Sequence, residues 1–336
     1  MMYLPVLPTT VIGSYPRPRW LREIIRGFRQ GRYDADTLRE ALDDAVITVV
    51  RDHEEAGIDI PSDGEMRRDE MVEYFAERIG GFKFYGPVRV WGNNYFRKPA
   101  VVEPIKYLKP IVVEEFLFLK SCTRKPIVKV TITGPYTIAD WSFNEYYRSK
   151  EDLAFDLAKV VNQELKKLEE AGALFVQIDE PALTTHPDEI DWAVQAINKA
   201  VEGINIKIGL HVCYSNYELL QKYFDDINVT QFALEFANRG FRDLHIVKKL
   251  GKELGLGVVD VHNKSVEAPE DIAKAITKAM SYIDPEYLYI NPDCGLKLLP
   301  RSIAKKKLEA MVRGTEIVRR ELVKRGIESI PLRTKI

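Results

Sequence analysis

Residues 153–178 read LAFDLAKVVNQELKKLEEAGALFVQI. Apolar residues recur at three- and four-residue spacing from Leu153 to Ala171, which predicts an amphipathic helix. The run that follows, 174–178, is short and rich in apolar and aromatic residues, so it predicts a buried strand. A helix that leads directly into such a strand is one unit of the alternation that builds parallel sheets.

Short runs of the same kind are spread along the whole chain. Eight candidate strands lie at 10–12, 58–60, 127–132, 174–178, 206–210, 229–234, 257–259 and 287–290. Most are separated by one amphipathic stretch, such as 303–324. Eight βα units predict an α/β fold of the TIM (β/α)8 barrel type, in which catalytic groups gather at the carboxyl ends of the strands.

One stretch breaks this alternation. Residues 80–110 are rich in turn-forming positions, namely Gly80-Gly81, Gly86-Pro87, Gly92-Asn93-Asn94 and Pro99. The runs 88–91 and 100–102 could form the arms of a hairpin. We interpret this stretch as an insertion after the second strand. Because no linker, repeat or low-complexity segment divides the chain, we expect residues 1–336 to form a single catalytic domain.

Composition limits the possible partners. The 49 lysine and arginine residues nearly cancel the 50 aspartate and glutamate residues, so the overall charge does not favour nucleic acid or an anionic membrane surface. No run approaches the roughly 20 apolar residues that a membrane helix needs. Three cysteines cannot form a fully paired disulfide framework. We therefore expect a cytoplasmic protein that acts on a small molecule.

Five consecutive predicted strands end in side chains that titrate or bind metals. They are Asp179 and Glu180, then His211 and Cys213, then Glu235, then Asp260 and His262, and finally Asp293 and Cys294. The carboxyl ends of parallel strands meet at one rim, so these side chains should lie close together. Sulfur and imidazole together are typical ligands of zinc. His211, Cys213 and Cys294 therefore predict one Zn²⁺ ion per chain.

The fourth zinc ligand is less specified. Glu235 is the candidate for this position. The equally weighted alternative is that a neighbouring arginine such as Arg239 holds the Glu235 carboxylate, which then does not bind the metal. Two thiolates and a carboxylate would leave the site negatively charged, which favours activation of a thiol over activation of water. The remaining soft side chains have structural interpretations: Cys122 as a packed residue, and His53, His186 and His245 on solvated helix faces.

Further candidates suit an amino-acid ligand. Asp179 and Glu180 could cap the next helix, or a carboxylate here could bind an ammonium group. Glu65, after the second strand, could do the same. The first strand ends in Gly13-Ser14-Tyr15-Pro16, where backbone amides and the Ser14 hydroxyl could meet a carboxylate.

These residues stand in motifs that follow one another along nearly the whole chain. The motifs are TTVIGSYP (9–16), DGE (63–65) with MVEYF (71–75), TGPYTI (133–138), QIDEPAL (177–183), HVCYSN (211–216) and NPDCGLK (291–297). In this order they resemble the catalytic half of cobalamin-independent methionine synthase. The resemblance implies a zinc-dependent methyltransferase that transfers a methyl group to homocysteine to form methionine.

The resemblance also implies roles for individual residues. The zinc ligands would be His211, Cys213, Glu235 and Cys294. The homocysteine carboxylate would lie near Ile12, Gly13 and Ser14, and its ammonium group near Glu65 and Asp179. His262 would handle a proton at the methyl donor, although the residues after it, Asn263-Lys264, depart from the His-Ser-Pro of the family.

The methyl donor is the least defined partner. Trp141 matches an aromatic residue that stacks on a pterin ring in the family. Arg97 lies in Asn94-Tyr95-Phe96-Arg97-Lys98-Pro99, where long members carry Ser-Arg-Cys-x-(Lys/Arg)-Pro, and is a second candidate contact. Long members also have an N-terminal barrel, whereas this chain starts almost at the first strand. The candidate donors are a methyl-corrinoid, a methylated pterin and methylfolate, and a helper or corrinoid protein is a candidate partner.

Two alternatives stay open. The first is a zinc-dependent methyltransferase of another small thiol, such as coenzyme M, on the same barrel. A sulfonate would require cations, whereas Glu65 and Asp179 are anionic. The second is a non-catalytic zinc-binding subunit, which would have a closed site without carboxylates placed for a substrate.

Overall fold

A computed structural model describes residues 2–91 and 94–334 of the protein. Its strands are β1 (Tyr3–Pro5), β2 (Ile79–Trp91), β3 (Asn94–Tyr107), β4 (Lys129–Thr133), β5 (Phe143–Asn144), β6 (Phe175–Asp179), β7 (Lys207–Val212), β8 (Gln231–Leu234), β9 (Glu253–Gly257), β10 (Leu288–Asn291) and β11 (Ser329–Pro331). Its α-helices are α1 (Arg19–Arg29), α2 (Ala35–Ala56), α3 (Met71–Ala76), α4 (Val113–Ser121), α5 (Pro135–Asp140), α6 (Lys150–Glu170), α7 (Ile190–Val201), α8 (Tyr217–Gln221), α9 (Pro269–Ala279) and α10 (Arg301–Lys324). Short 3₁₀ turns lie at Pro187–Glu189, Ala237–Arg239, Arg242–Lys249 and Pro285–Tyr287.

Six strands form one parallel sheet in the order β4-β6-β7-β8-β9-β10. Two single bridges close it into a barrel: Thr9 pairs with Ile290, and Thr10 pairs with Ile60. The backbone N–H of Lys129 then donates to Pro61 O at 2.9 Å, which joins the second strand position to β4. The eight-strand barrel predicted from the sequence is confirmed, although its first two strands are reduced to single bridges.

The seventh barrel strand begins four residues earlier than predicted. The sequence suggested 257–259, whereas the structure has Glu253–Gly257. Glu253, Gly255 and Gly257 interrupt the apolar pattern of this strand, so its start was not predicted, yet all five of its residues are buried. The Glu253 carboxylate is paired with Lys207 inside the barrel. Val258, just after the strand, still donates its N–H to Asn291 O at 2.9 Å.

The helices surround the barrel as the apolar spacing predicts. In α6 the side chains of Leu153, Leu157 and Leu168 are fully buried. The Ser149 side chain caps this helix by accepting from Asp152 N at 3.0 Å, which satisfies one of its free amide groups. Within the described residues, no helix is both long and apolar enough to cross a bilayer.

The predicted insertion is a long antiparallel hairpin. It consists of β2 and β3, with the short strand β5 added alongside β3. The turn predicted at Gly92-Asn93-Asn94 falls partly outside the described residues. At the base of the hairpin the buried Glu164 of α6 accepts from Ile111 N (2.9 Å), Val112 N (2.8 Å) and the Tyr107 hydroxyl (2.7 Å). This carboxylate fastens the insertion to the barrel.

The prediction for His53 was wrong. His53 lies in α2 and is fully buried, with its ring edge-on to Tyr15 at 5.2 Å between centroids. Burial lowers the pKa of His53 to about 4. The helix is covered on more than one side, since Asp52 beside His53 is bound by Arg301 of α10 at 2.7 Å. His186 and His245 are exposed as expected.

Candidate active site

Three of the predicted zinc ligands meet at the carboxyl rim of the barrel. His211 is the penultimate residue of β7, Cys213 directly follows that strand, and Cys294 follows β10. Their ligand atoms all lie within 4.8 Å of one another. His211 and Cys213 are buried and Cys294 is partly buried. Two sulfurs and an imidazole at this spacing are a donor set that zinc prefers.

A backbone carbonyl orients the His211 ring. Nδ1 lies 3.0 Å from the carbonyl oxygen of Ala233, which is its neighbour across the β7–β8 register. A carbonyl can only accept, so Nδ1 carries the proton and Nε2 keeps its lone pair. Nε2 is buried and has no hydrogen-bond partner among the described residues. This arrangement is the one that a metal-bound histidine requires.

The two cysteines influence each other directly. A hydrogen bond with Cys213 holds the pKa of Cys294 well below its usual range, and His211 acts in the same direction. The same hydrogen bond, together with burial, raises the pKa of Cys213. The two thiols therefore do not titrate independently, and loss of one proton from the pair is favoured.

Glu235 lies beside the group of His211, Cys213 and Cys294 but is not one of its members. Its Oε1 accepts from Tyr214 N at 2.9 Å, while its Oε2 is buried without a hydrogen-bond partner among the described residues. Burial raises the pKa of the carboxyl group. Arg239, the alternative partner, instead contacts Asp243 at 2.9 Å and the Ser215 carbonyl at 2.6 Å. Glu235 thus offers a free buried oxygen next to the two thiols.

Asp293 has a structural role that the sequence did not specify. Its Oδ1 accepts from Phe236 N and Ala237 N, both at 2.9 Å, and its Oδ2 accepts from Asn238 N at 2.7 Å. Burial raises its pKa to about 7. Asp293 therefore fixes the backbone after Glu235, while the next residue along its own chain is Cys294.

The two acids after β6 have different surroundings. Glu180 accepts from Tyr136 N at 3.0 Å and Thr137 N at 2.7 Å, so it caps the preceding helix α5 and not the next one. Asp179 ends β6 directly beside His211 in the sheet register. Burial raises the pKa of Asp179 to about 7. Of the two, only Asp179 faces the group of soft ligands.

Glu65 and Ser14 approach the site because two glycines leave room for them. A Cβ on Gly13 would overlap Glu65 Oε1, and one on Gly295 would overlap Ser14 Oγ. Glu65 has a left-handed backbone (φ 55°) and accepts from Thr131 Oγ1 at 2.9 Å. Ser14 also accepts from Leu296 N at 2.7 Å through its carbonyl. The loops after the first and eighth strands therefore touch beside Cys294.

Polar side chains inside the barrel support this rim, and the sequence analysis missed them. Gln177 donates to Asp179 Oδ1 at 2.6 Å and accepts from Lys129 Nζ at 2.6 Å. Arg68 donates to the Thr131 hydroxyl at 2.9 Å, which in turn bonds to Glu65. The available signal was the alternation of polar residues along β4 and β6, which places their side chains on one face of each strand.

A more exposed group lies next to the soft ligands. His262 Nδ1 lies 3.0 Å from Asp260 Oδ1, and its Nε2 lies 2.8 Å from the Tyr214 hydroxyl. Tyr214 directly follows Cys213, has a left-handed backbone (φ 53°) and is 67% exposed. With Asp260 as acceptor, Nδ1 carries the proton and Nε2 can accept one. No role for Tyr214 was predicted from the sequence.

The two candidate donor contacts, Arg97 and Trp141, lie earlier in the chain. Trp141 forms the carboxyl-terminal cap of α5 and is 38% exposed. Arg97, in the insertion, pairs with Glu73 at 3.2 Å and with Glu77 at 2.8 Å, and its guanidinium lies over the Phe84 ring. Much of its charge is therefore already matched within the chain, and its contact with a donor stays a prediction.

The family of the chain is indicated by comparison with known proteins. Residues 7–316 match the family described as "Cobalamin-independent synthase, Catalytic domain". A methionine synthase of Thermococcus kodakarensis is 62% identical over 336 residues, which is 100% of both chains. A methionine synthase of Sulfurisphaera tokodaii is 58% identical and covers 98% of each chain.

Solved structures give the same result. A B12-independent methionine synthase from a Shewanella species, in complex with selenomethionine, superposes with a TM-score of 0.86 at 30% identity, over 95% of this chain and 99% of that one. A methyltransferase from Methanosarcina mazei shares the fold, with a TM-score of 0.66 at 14% identity over 94% of each chain.

Proposed function

This chain belongs to the family of cobalamin-independent methionine synthase catalytic domains, and on that premise we propose that it methylates the sulfur of homocysteine with the help of zinc. It is a methyltransferase of the methionine-synthase type. In the reaction the donor–CH₃ bond breaks, a new S–CH₃ bond forms, and the thiol proton is released. The observation that carries the proposal is the group of His211, Cys213 and Cys294 at the barrel rim.

We assign His211 Nε2, Cys213 Sγ, Cys294 Sγ and a Glu235 carboxylate oxygen as the ligands of one zinc ion. Two of these atoms, His211 Nε2 and Glu235 Oε2, are buried polar atoms without a hydrogen-bond partner among the described residues. Burying such atoms is costly unless a ligand satisfies them, so the donor set fits a metal. Bound zinc would lower the pKa of a substrate thiol, so that the nucleophile exists at neutral pH.

The amino-acid part of homocysteine would be bound beside the metal ligands. Asp179 and Glu65 supply carboxylates for its ammonium group, and Ser14 with the backbone of Ile12 and Gly13 receives its carboxylate. Each carboxylate is already held by one hydrogen bond from inside the barrel, so its geometry is set before the substrate arrives. In support, a relative of this family has been solved with selenomethionine, an analogue of the product.

The methyl donor would approach across Tyr214 and His262. The ring of His262, held by Asp260, can exchange a proton with the donor's leaving group. Trp141 would stack on a flat donor such as a pterin. A methyl-corrinoid, a methylated pterin and methylfolate all stay candidates, and so does a helper protein that presents one of them. Arg97 is proposed as a donor contact at the edge of this face.

The buried Asp179 and the partly buried Glu65 favour homocysteine over other thiols. An acceptor with a sulfonate, such as coenzyme M, would face two carboxylates, and like charges in a buried site repel strongly. The carboxylates placed beside the metal ligands also oppose a non-catalytic zinc-binding role. We further propose that residues 1–336 act as one domain, and that the protein works in the cytoplasm, where its cysteines remain reduced.

A donor screen at fixed homocysteine tests the function. The zinc-loaded chain is incubated with methylcobalamin, mono- or polyglutamyl methylfolate, or a methanopterin analogue, and methionine is quantified. Formation from one donor supports the proposal and names the donor. In parallel, homocysteine is added to cobalt-substituted protein. If homocysteine leaves the visible spectrum of the cobalt unchanged, the thiol does not reach the metal and the proposal fails.

A further inference from the structure

Gln177 occupies the centre of the barrel below the candidate site. It is fully buried in β6, two residues before Asp179. Its amide makes three hydrogen bonds: Oε1 accepts from Lys129 Nζ at 2.6 Å, and Nε2 donates to Asp179 Oδ1 at 2.6 Å and to the Ile12 carbonyl at 3.0 Å. Both of its amide hydrogens and its oxygen are thus engaged.

These partners allow only one orientation of the amide. The Ile12 carbonyl and the Asp179 carboxylate accept, so they face the NH₂ group. The amide oxygen therefore faces Lys129 Nζ, which donates to it. A flipped amide would put oxygen against two acceptors and NH₂ against Lys129 Nζ. Lys129 is itself buried at the start of β4, where burial lowers the pKa of its amino group to about 7, so the hydrogen bond to Gln177 stands in place of water.

The two acceptors belong to different halves of the proposed homocysteine site. Ile12 directly precedes Gly13 and Ser14, the turn assigned to the substrate carboxylate. Asp179 is assigned to the ammonium group. In an α-amino acid these two groups are bonded to the same carbon atom, so the protein groups that bind them must keep a fixed separation. The Gln177 side chain joins Asp179 to the Ile12–Ser14 turn through its hydrogen bonds.

We propose that Gln177, oriented by Lys129, is a positioning residue that sets this separation and thereby selects an α-amino acid as the thiol substrate. The inference rests on the proposed function, because it takes the roles of Asp179 and the Ile12–Ser14 turn from it. It adds a source of specificity that lies beneath the site and touches no substrate atom.

The test compares two thiols that differ by one group. Homocysteine and 4-mercaptobutanoate share the thiol, the carbon chain and the carboxylate, but only homocysteine has the amine. Calorimetry with zinc-loaded protein gives the dissociation constant of each. Gln177→Met keeps an unbranched side chain of similar size and removes the amide. We expect the preference for homocysteine to fall about tenfold, the scale of one charge-assisted hydrogen bond.

Two lysine variants complete the test, one as a second probe of the inference and the other as its matched control. Lys129→Met removes only the group that orients the amide, so it should lower the preference in the same direction by a smaller factor. Lys207 lies at the same level of the barrel, since Lys129 and Lys207 both pair with Phe175 in the sheet register. Its partner is Glu253. Lys207→Met should lower the melting temperature and leave the preference unchanged.

Each outcome decides a separate point. If Gln177→Met and Lys129→Met both keep the wild-type preference, the inference is overturned and the proposed function stands. If Lys207→Met changes the preference as much as Lys129→Met, the effect comes from general loosening of the barrel and the inference is again overturned. If the wild-type protein itself does not distinguish the two thiols, the proposed ammonium site fails and the inference fails with it.

Discussion

On the acceptor side of the rim, His211, Cys213 and Asp179 are buried and tied to the barrel, whereas on the donor side Trp141 and Tyr214 are exposed. Asp179 and His211 lie at the ends of strands of the continuous sheet, and Cys213 directly follows one. Gln177 holds Asp179, and the Ala233 carbonyl holds the His211 ring. The donor side chains belong to loops and to the end of a short helix. Burial fixes side-chain geometry, while exposure leaves room for a large molecule.

This contrast indicates how the two substrates are recognised. Under the proposed function, the small thiol would meet a preformed set of charges whose positions are fixed by the sheet. The donor would meet a more exposed surface, where His262 Nε2 lies 2.8 Å from the Tyr214 hydroxyl. We therefore expect the acceptor to be strongly selected by the chain itself, and the donor to be selected by fewer contacts or with the help of a partner.

The largest expected effect comes from the metal ligands. Cys213→Ser or Cys294→Ser should lose the zinc and abolish methionine formation, because a hydroxyl is a poor zinc ligand at neutral pH. Metal content and activity are measured together. Cys122→Ser, at the end of α4, is the matched control and should keep both. Full metal content in both ligand variants would contradict the assignment.

Next is the proton-handling group on the donor side. His262→Asn should lower kcat about 100-fold or more, the usual scale of general acid–base catalysis, without changing homocysteine affinity. Steady-state kinetics and calorimetry separate the two quantities. His245→Asn, at an exposed position, serves as the control. A fall in homocysteine affinity instead would mean that the two sides of the rim are not independent.

On the acceptor side, Asp179→Asn should weaken homocysteine binding by about 1 to 3 kcal/mol, the scale of a lost hydrogen bond to a charged group. Calorimetry with the thiol measures this loss, and the KM for the donor should not change. An unchanged affinity for homocysteine would remove Asp179 from the substrate site.

The smallest expected effect belongs to the exposed aromatic ring. Trp141→Ala should raise the KM for a pterin donor by less than about tenfold, since an aromatic stack contributes about 0.5–1.5 kcal/mol. Kinetics with a pterin donor and with methylcobalamin provide the comparison. Equal effects on both donors would indicate that Trp141 supports the loop and does not stack on the pterin.

The sequence predicted the barrel because most of its strands are short apolar runs between amphipathic helices. It failed where a strand is held by charge. Glu253 lies inside the seventh strand and pairs with Lys207, a residue 46 positions earlier in the chain (253 minus 207). Pattern reasoning treats such residues as surface positions, because the partner that permits their burial is distant in sequence. The same reasoning placed His53 on a solvated face.

The soft ligands of the site were predictable because histidine and cysteine are rare and follow strand ends. Their supporting contacts were not. The group that orients His211 is the carbonyl of Ala233, which any residue could supply and which depends only on the sheet register. Gln177 and Lys129 are likewise brought together by the pairing of β4 with β6. Sequence chemistry therefore predicted the candidate ligands, and three-dimensional pairing shows what holds them.

The barrel wall has the fewest backbone pairings where single bridges join Thr9 to Ile290 and Thr10 to Ile60. Backbone amides in such a seam should open and exchange with solvent deuterium sooner than those of the continuous six-stranded sheet. Ser14 and Glu65 both follow this seam, so an amino acid bound between them would bridge its two sides. On the proposed function, we therefore expect amide exchange along this seam to slow when homocysteine is bound.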